Sequence, residues 1–411
     1  VSVALGLPQP LAVRSVEVPD PGDLLTRLPV PSPYAWIHRG DGLVAWGEAA
    51  RLTLPPGEDR FERARRWLDR VLGGADIDDR VGLPGSGPVA FGSFTFDPRS
   101  AGSVLVVPRV ILARRDGRTW CTTVGDAQDA ARLVHPLLDP GAVRWDDDAD
   151  CARHYEQAVA QAVQEIRADK LGKVVLARDL RARAEHPIDA RILLNRLSTR
   201  YPECYTFSCA GLVGATPELL VRHTGQAVES LVLAGTTRRG ATPEEDAALG
   251  AALMNSAKDR SEHVYAVESV RAALTPLTRR LDVPEEPELL VLPNVQHLAS
   301  PVSGELADGS SVLDLVAALH PTAAVCGTPS DVAMEAIRGL EGMDRGRYAG
   351  PVGWIDARGD GEWGIALRSA EIDGHDARLF AGCGIMADSS PAAELAEAQA
   401  KLRAMQDALE G

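Results

Sequence analysis

Three separated stretches of this chain carry side chains whose types and spacing could do chemistry. In "LGKVVLAR" (171–178) Lys173 heads a run in which five of eight residues are apolar. Such a run reads as a largely buried strand. An ammonium there is costly unless it is paired or loses its proton, so either Lys173 snorkels to the surface or the fold keeps it in a polar cavity. In the last helix, expected to begin at Pro391, Glu394, Glu397 and Lys401 follow at spacings of three and four and share one face. Ser390 suits the N-cap and Pro391 the first helical position. An exposed salt-bridged stripe explains that spacing as well as a ligand-binding face does. Just upstream, "LFAGCGIMAD" reads as an apolar strand in which Gly382 and Gly384 leave bare backbone, whose amides can bind an anion. The third stretch, "KDRSEHVYAVE" (258–268), puts Asp259 and Glu262 three apart on a helix with Val264, Ala266, Val267 and Val270 as its apolar positions. Two helices each presenting a carboxylate pair would suit Mg²⁺, which takes oxygen ligands. Surface charge pairs account for them equally well.

Other chemistries find no support. His263 and His297 stand outside any HExxH or Cys/His zinc spacing and read singly as structural. Neither GxGxxG nor GxxxxGK[ST] occurs. The net charge of −15, with no long Lys/Arg cluster, argues against nucleic acid. Six cysteines without a CxxC pair fit free thiols in a reducing cytoplasm. No apolar segment reaches membrane-spanning length, and no membrane association is expected.

The elements that must position these residues come from the apolar pattern. With 411 residues, 45% of them hydrophobic, the chain can build a large core. Strands are expected over 32–39, 89–96 and 102–117, the last a hairpin or a strand interrupted at Pro108, with a helix over 58–73. A helix over 154–169 should deliver the chain to the Lys173 strand. Two strands around a turn are expected over 204–223, a strand over 228–240, and helix through most of 243–277. Residues 297–306 read as strand, and 350–385 as an antiparallel meander turning at "RGDGEW" and "IDGHDA". Antiparallel strands mixed with long helices imply an α+β layered fold.

Several stretches together resemble the chorismate-utilising enzymes, the family of isochorismate synthases, salicylate synthases, anthranilate synthase component I and aminodeoxychorismate synthase component I. They are "KVVLAR" (173–178), "GATPELL" (214–220), "LAGTTRRG" (233–240), "KDRSEH" (258–263), "VQHLASPVSGEL" (295–306), "HPTAAVCGTP" (320–329), "YAGPVGW" (348–354), "IALRSAEI" (365–372) and "FAGCGIMAD" (380–388) running on into "SSPAAELAE" (389–397). They occur in family order over 150–411, whereas 1–149 carries no matching signature. The resemblance implies a single α+β chorismate-binding domain over 1–411, with 1–149 its divergent part. It also implies roles. Lys173 would be the general base and Glu218 the general acid, with His297 positioning the ring and its departing hydroxyl. Glu262 and Glu397 would hold Mg²⁺, with Glu394 and Asp259 nearby in its shell. Arg368 would fork onto a substrate carboxylate, helped by Tyr348 and the amides around Gly382 and Gly384. Lys401 would stabilise charge in the pocket, and Thr236 belongs to the loop that closes over the ring.

Within the family, the nucleophile decides. Members that use ammonia resemble one another in carrying glutamine at the position of Lys173. Aminodeoxychorismate synthases often have a lysine where this chain has Ala234, and anthranilate synthases a threonine where it has Ala324. All three departures point to water, hence to isochorismate synthase acting on chorismate. Salicylate synthase, which goes on to eliminate pyruvate, is the alternative, and a catalytically inactive binding module is another. A cytoplasmic monomer without a glutamine amidotransferase subunit is expected. Whether the product feeds menaquinone or siderophore synthesis is left open.

Overall fold

The computed structural model describes residues 10–30, 33–125, 136–146, 149–307 and 309–411; Ser32, at the edge of the first expected strand, lies outside them. Two large sheets form among these residues, and the fold is α+β as expected. The thirteen-stranded sheet has Lys173–Ala184, Asp376–Ile385, Ser369–Asp373, Leu212–Thr216, Tyr205–Cys209 and Tyr34–His38 as consecutive neighbours. The ten-stranded sheet runs Val295–Leu306, Ala227–Arg238, Leu219–Thr224, Gly361–Ile365, Pro351–Asp356 and Val89–Ser93 in the same sense. Both sheets take strands from either side of residue 150. Among the described residues no helix is long and apolar enough to cross a membrane.

Trp36, Phe91, Phe207 and Trp354 fill the core between the sheets, alternating inward along their strands. A charged tie crosses that core. Glu362 accepts from Trp36 Nε1 at 2.9 Å, contacts Arg222 Nε at 3.3 Å and pairs with Arg115. Glu362 and Arg222 belong to the smaller sheet, Trp36 and Arg115 to the larger. Helices cover the outer faces. The helix Ala257–Leu274 buries Ala266, Val267, Val270 and Leu274, together with Glu262 and His263.

Four expectations need correction. Segment 350–385 is not one meander: Pro351–Asp356 and Gly361–Ile365 pair in the ten-stranded sheet, whereas Ser369–Asp373 and Asp376–Ile385 pair in the other. The change of sheet occurs at 366–368, where Arg368 adopts a φ of 46°. Hydrophobic alternation is the same in both sheets, so it could not reveal the switch. Val264 is 58% exposed, because the true stripe runs through 263, 266, 267, 270 and 274. Helix 154–169 begins earlier, as Ala149–Arg167. Segment 204–223 holds three strands instead of two, Tyr205–Cys209, Leu212–Thr216 and Leu219–Thr224, the last in the other sheet. Segment 243–277 is helical through most of its length, as expected, in two helices, Pro243–Asn255 and Ala257–Leu274, separated at Ser256, whose side chain caps the second through the Asp259 amide.

The Glu362 tie yields a stability prediction. Burial opposes its charge, but Arg222 and Arg115 outweigh it and hold the carboxyl below its usual 4.5. Glu362→Gln should cost about 3–5 kcal/mol of unfolding free energy at neutral pH. The wild-type advantage should be complete above pH 4.5 and disappear as pH falls through the lower folded-state value, measured by urea unfolding of both proteins across that range.

Candidate active site

The cavity forms where the chain twice changes sheet. At 217–218 it passes from Leu212–Thr216 to Leu219–Thr224, and at 366–368 it returns. The crossings lie side by side: the Ala215 amide donates to the Arg368 carbonyl at 3.1 Å, and the Ile365 amide to the Glu218 carbonyl at 3.2 Å. Each crossing therefore delivers one ionisable residue, Glu218 or Arg368, to the same cavity. A bulge in Ala227–Arg238 around Gly235, at φ 79°, brings Ala234 and Thr236 to the wall. Ala324, Tyr348, His297, Gly382, Gly384, Lys401 and Glu262 also line it.

Glu218 is buried, and burial raises its carboxyl to about 8, against the opposing pull of Lys173, the Leu233 backbone, Arg368 and Lys401. At neutral pH it therefore holds its proton. His297 Nε2 lies 3.0 Å from Arg368 Nη2, which can only donate. Nδ1 must then carry the ring proton, and it faces Thr236 Oγ1 at 2.9 Å. Burial first, then Arg368 and Lys401, keep this imidazole well below its ordinary pKa and neutral. Tyr348 stacks on Phe380 at 5.0 Å and 10°, and burial pushes its phenol up to about 12.

Lys173 is fully buried behind Glu262, whose Oε1 lies 3.3 Å from Nζ. The ammonium makes no hydrogen bond among the described residues. Its strand pairs with Asp376–Ile385, with Val175 opposite Gly384 and Ala177 opposite Gly382. The Val175 amide turns away from that partner to the Cys326 carbonyl at 2.7 Å, and the Ala177 amide to Glu341 Oε1 at 2.7 Å. An antiparallel pair exchanges both bonds or neither, so Gly384 and Gly382 also point their backbone groups away, on the side where Lys401 Nζ reaches the Gly382 carbonyl at 2.9 Å. The two amides are thus free of this ladder. A Cβ at Gly384 would sit 2.0 Å from Glu262 Oε1 and 3.0 Å from Lys173 Cε. The bare backbone there accommodates the Lys173–Glu262 pair.

The two carboxylate helices converge. Lys258, on the Glu262 helix, pairs with Glu394 Oε1 at 2.8 Å, and Ser389 Oγ donates to the same oxygen at 2.7 Å. Ser390 occupies the N-cap without a side-chain bond. Burial and then the neighbouring Glu397 raise the Glu394 pKa. Glu397 pairs with Lys401 at 2.6 Å, so the stripe faces inward. Burial opposes the Lys401 charge, but Cys383 and Glu397 hold its pKa above the ordinary value. Glu394, Glu397 and Cys383 place ligand atoms within 4.8 Å of one another, the only such group among the described residues. Burial pushes the Cys383 thiol well up, and a soft sulfur suits Mg²⁺ poorly. The crowded carboxylates fit a hard cation; Glu262 lines the cavity, whereas Glu394 and Glu397 do not. Asp259 packs against Gly235 and does not line the cavity.

His263 is structural, bonded through Nδ1 to the Ala234 carbonyl at 3.1 Å and through Nε2 to Ser300 Oγ at 2.8 Å. The sequence reading missed Cys383, Lys258 and the buried pair Glu341–Arg345. The last had one available signal, an acid and a base four apart just before "YAG".

The chain matches the family described as "Chorismate binding enzyme" over residues 36–410. It is 37% identical over 406 residues to the salicylate biosynthesis isochorismate synthase of Pseudomonas aeruginosa, covering 91% of this chain and 84% of that protein. The fold is similar to that of MenF, the menaquinone-specific isochorismate synthase of Escherichia coli, with a TM-score of 0.81, 27% identity and coverage of 98% and 95%. It is also similar in fold to anthranilate synthase component I of Streptococcus pneumoniae, at a TM-score of 0.71 and 21% identity, with coverage of 92% and 93%.

Gly384→Ala should destabilise the protein by about 1–3 kcal/mol through overpacking. Glu262→Ala removes the obstructing carboxylate, so the two changes should couple favourably by about 0.5–3 kcal/mol in a double-mutant cycle read by chemical denaturation.

Proposed function

The chain belongs to the chorismate-binding enzyme family, and on that footing we propose that it is an isochorismate synthase, adding water at C2 of chorismate as the C4 hydroxyl leaves. The observation that carries this reading is Glu218, a cavity carboxyl held in its acid form at neutral pH. A departing hydroxyl needs a proton donor, and a carboxyl with a pKa near the working pH is suited to supply it.

Lys173 is the base that takes the proton from water. Its strand places it behind the cavity wall, where among the described residues its one ion-pair contact is the Glu262 carboxylate. Arg368 is the substrate's charge clamp. Lys173, Lys401 and Arg345 each pair with a carboxylate, whereas Arg368 forms no ion pair among the described residues and donates to neutral His297. A buried guanidinium facing a cavity without a carboxylate partner favours an anionic ligand, and Arg presents a bidentate fork to one. Arg368 fixes the tautomer of His297, whose Nδ1–H then donates to Thr236, so that this imidazole orients Arg368 and the ring. The Gly382 and Gly384 amides and Tyr348 lie along the same wall. Glu262, Glu394 and Glu397 would hold Mg²⁺, which neutralises a substrate carboxylate when bound. Asp259 would act only from behind the Gly235 bulge. Residues 1–411 form one catalytic domain in this reading, since both sheets draw strands from each side of residue 150.

Incubation with chorismate and Mg²⁺ should accumulate isochorismate without pyruvate, followed by chromatography and a pyruvate assay. Stoichiometric pyruvate would instead identify a salicylate synthase. Lys173→Ala should lower kcat by about 10²–10⁴-fold while equilibrium binding of chorismate persists; unchanged turnover would remove Lys173 from the mechanism.

Glu218 adds a pH prediction. Because the acid form is the working form, kcat should decline as pH rises through about 8. Glu218→Gln should abolish that limb together with activity, and a wild-type profile flat across this range would assign the acid elsewhere.

A further inference from the structure

The strand that carries Lys173 has an exposed-edge problem in its middle. On the side away from Asp376–Ile385, Lys173 and Val174 pair with Thr328 and Gly327, and Arg181–Ala184 pair with Val143–Asp146. Among the described residues no strand covers the residues between. Their backbone groups are buried and must find partners elsewhere.

Glu341 and Arg345 supply two of these partners, beside the Cys326 carbonyl that accepts from the Val175 amide. Glu341 Oε1 accepts from the Ala177 amide at 2.7 Å. Arg345 Nη2 donates to the Val175 carbonyl at 2.8 Å, and Nη1 to the Val325 carbonyl at 2.9 Å. Arg345 Nε closes the pair onto Glu341 Oε2 at 2.9 Å. Both side chains are almost fully buried, and the guanidinium lies 4.2 Å over the Phe96 ring. One carboxylate and one guanidinium thus replace the donor and acceptor of a missing strand. They also join that strand to the 324–325 wall, and Val175, Val325 and Arg345 all line the cavity.

We propose that Glu341 and Arg345 are positioning residues that set the placement of Lys173 relative to the substrate wall, acting through the backbone of Val175 and Ala177. Lys173 is two residues from Val175 on the same face of the strand, so a shift of this edge is passed directly to its side chain. This rests on the reading of Lys173 as the base. Misplacing a catalytic group by a fraction of an ångström lowers the rate of the chemical step more than substrate affinity.

The test uses Arg345→Lys and Glu341→Gln in the full-length protein. Asp97→Asn is the control, because Asp97 pairs with Arg338 on the neighbouring helix and does not line the cavity. The pair variants should keep KM for chorismate within about threefold and lose at least tenfold in kcat, and their amides at 174–178 should exchange hydrogen at least tenfold faster. The control should lose stability with kcat unchanged. A kcat within threefold of wild type, or a rise in KM without a fall in kcat, would overturn the proposal. If neither pair variant folds, Phe96→Leu decides: it removes the stacking ring and keeps the ion pair, and should lower kcat severalfold at constant KM. An unchanged kcat there overturns the proposal as well. Should wild-type protein fail to turn over chorismate, the functional reading falls, and the exchange at 174–178 still reports whether the pair holds this edge.

Discussion

The double crossing between the two sheets is the constraint on which the site depends. A strand that ends in one sheet and resumes in the other leaves its intervening residues at the seam, with backbone groups that the ladders do not satisfy. Here the two seams satisfy each other, through Ala215 with Arg368 and Ile365 with Glu218. Their side chains therefore emerge together, one acid and one base, in a space walled by both sheets. The positive φ of Arg368 belongs to this turn. Backbone strain in a non-glycine residue persists where surrounding packing over-determines it, and Gly214 makes room, since a Cβ there would lie 2.7 Å from the Arg368 carbonyl.

Burial at that seam sorts the ionisable groups into two kinds. Lys401 and Arg345 keep their charge because Glu397 and Glu341 stand against them. Glu218 has no such contact among the described residues and gives up its charge instead. His297 responds likewise by staying neutral beside Arg368. A protonated carboxyl and a neutral imidazole thus arise from one cause, desolvation without a matched counter-ion.

Much of this was legible in the sequence. The apolar run after Lys173, the carboxylates three and four apart on two helices, and the glycines of "AGCGI" each carried a local physical signal. Their convergence was not local. Two strand-rich segments read the same whether their strands share a sheet or change sheets, because alternation records burial and not partner, so the crossings at 217–218 and 366–368 stayed hidden. The same limit applies to Lys258, which reads as a surface lysine until Glu394, 136 residues away, is brought to it. Val264 was misassigned because valine at an exposed helix position looks like core.

Gly384 shows how the buried lysine and the bare strand belong to one solution. The sequence suggested that missing side chains there admit a ligand. In the structure the space over Gly384 is taken by the Glu262 carboxylate and the Lys173 stem, while the amides of Gly382 and Gly384 point to the opposite, ladder-free side of their strand. The glycines thus serve two surfaces at once. The absent Cβ of Gly384 admits the contact between Lys173 and Glu262 in the core, and the register of both glycines presents backbone donors to the cavity. A side chain at 384 would sacrifice the first even where it spared the second. The lysine at the head of "LGKVVLAR" is therefore buried because the strand beside it carries no side chain at the one position where its counter-ion must lie.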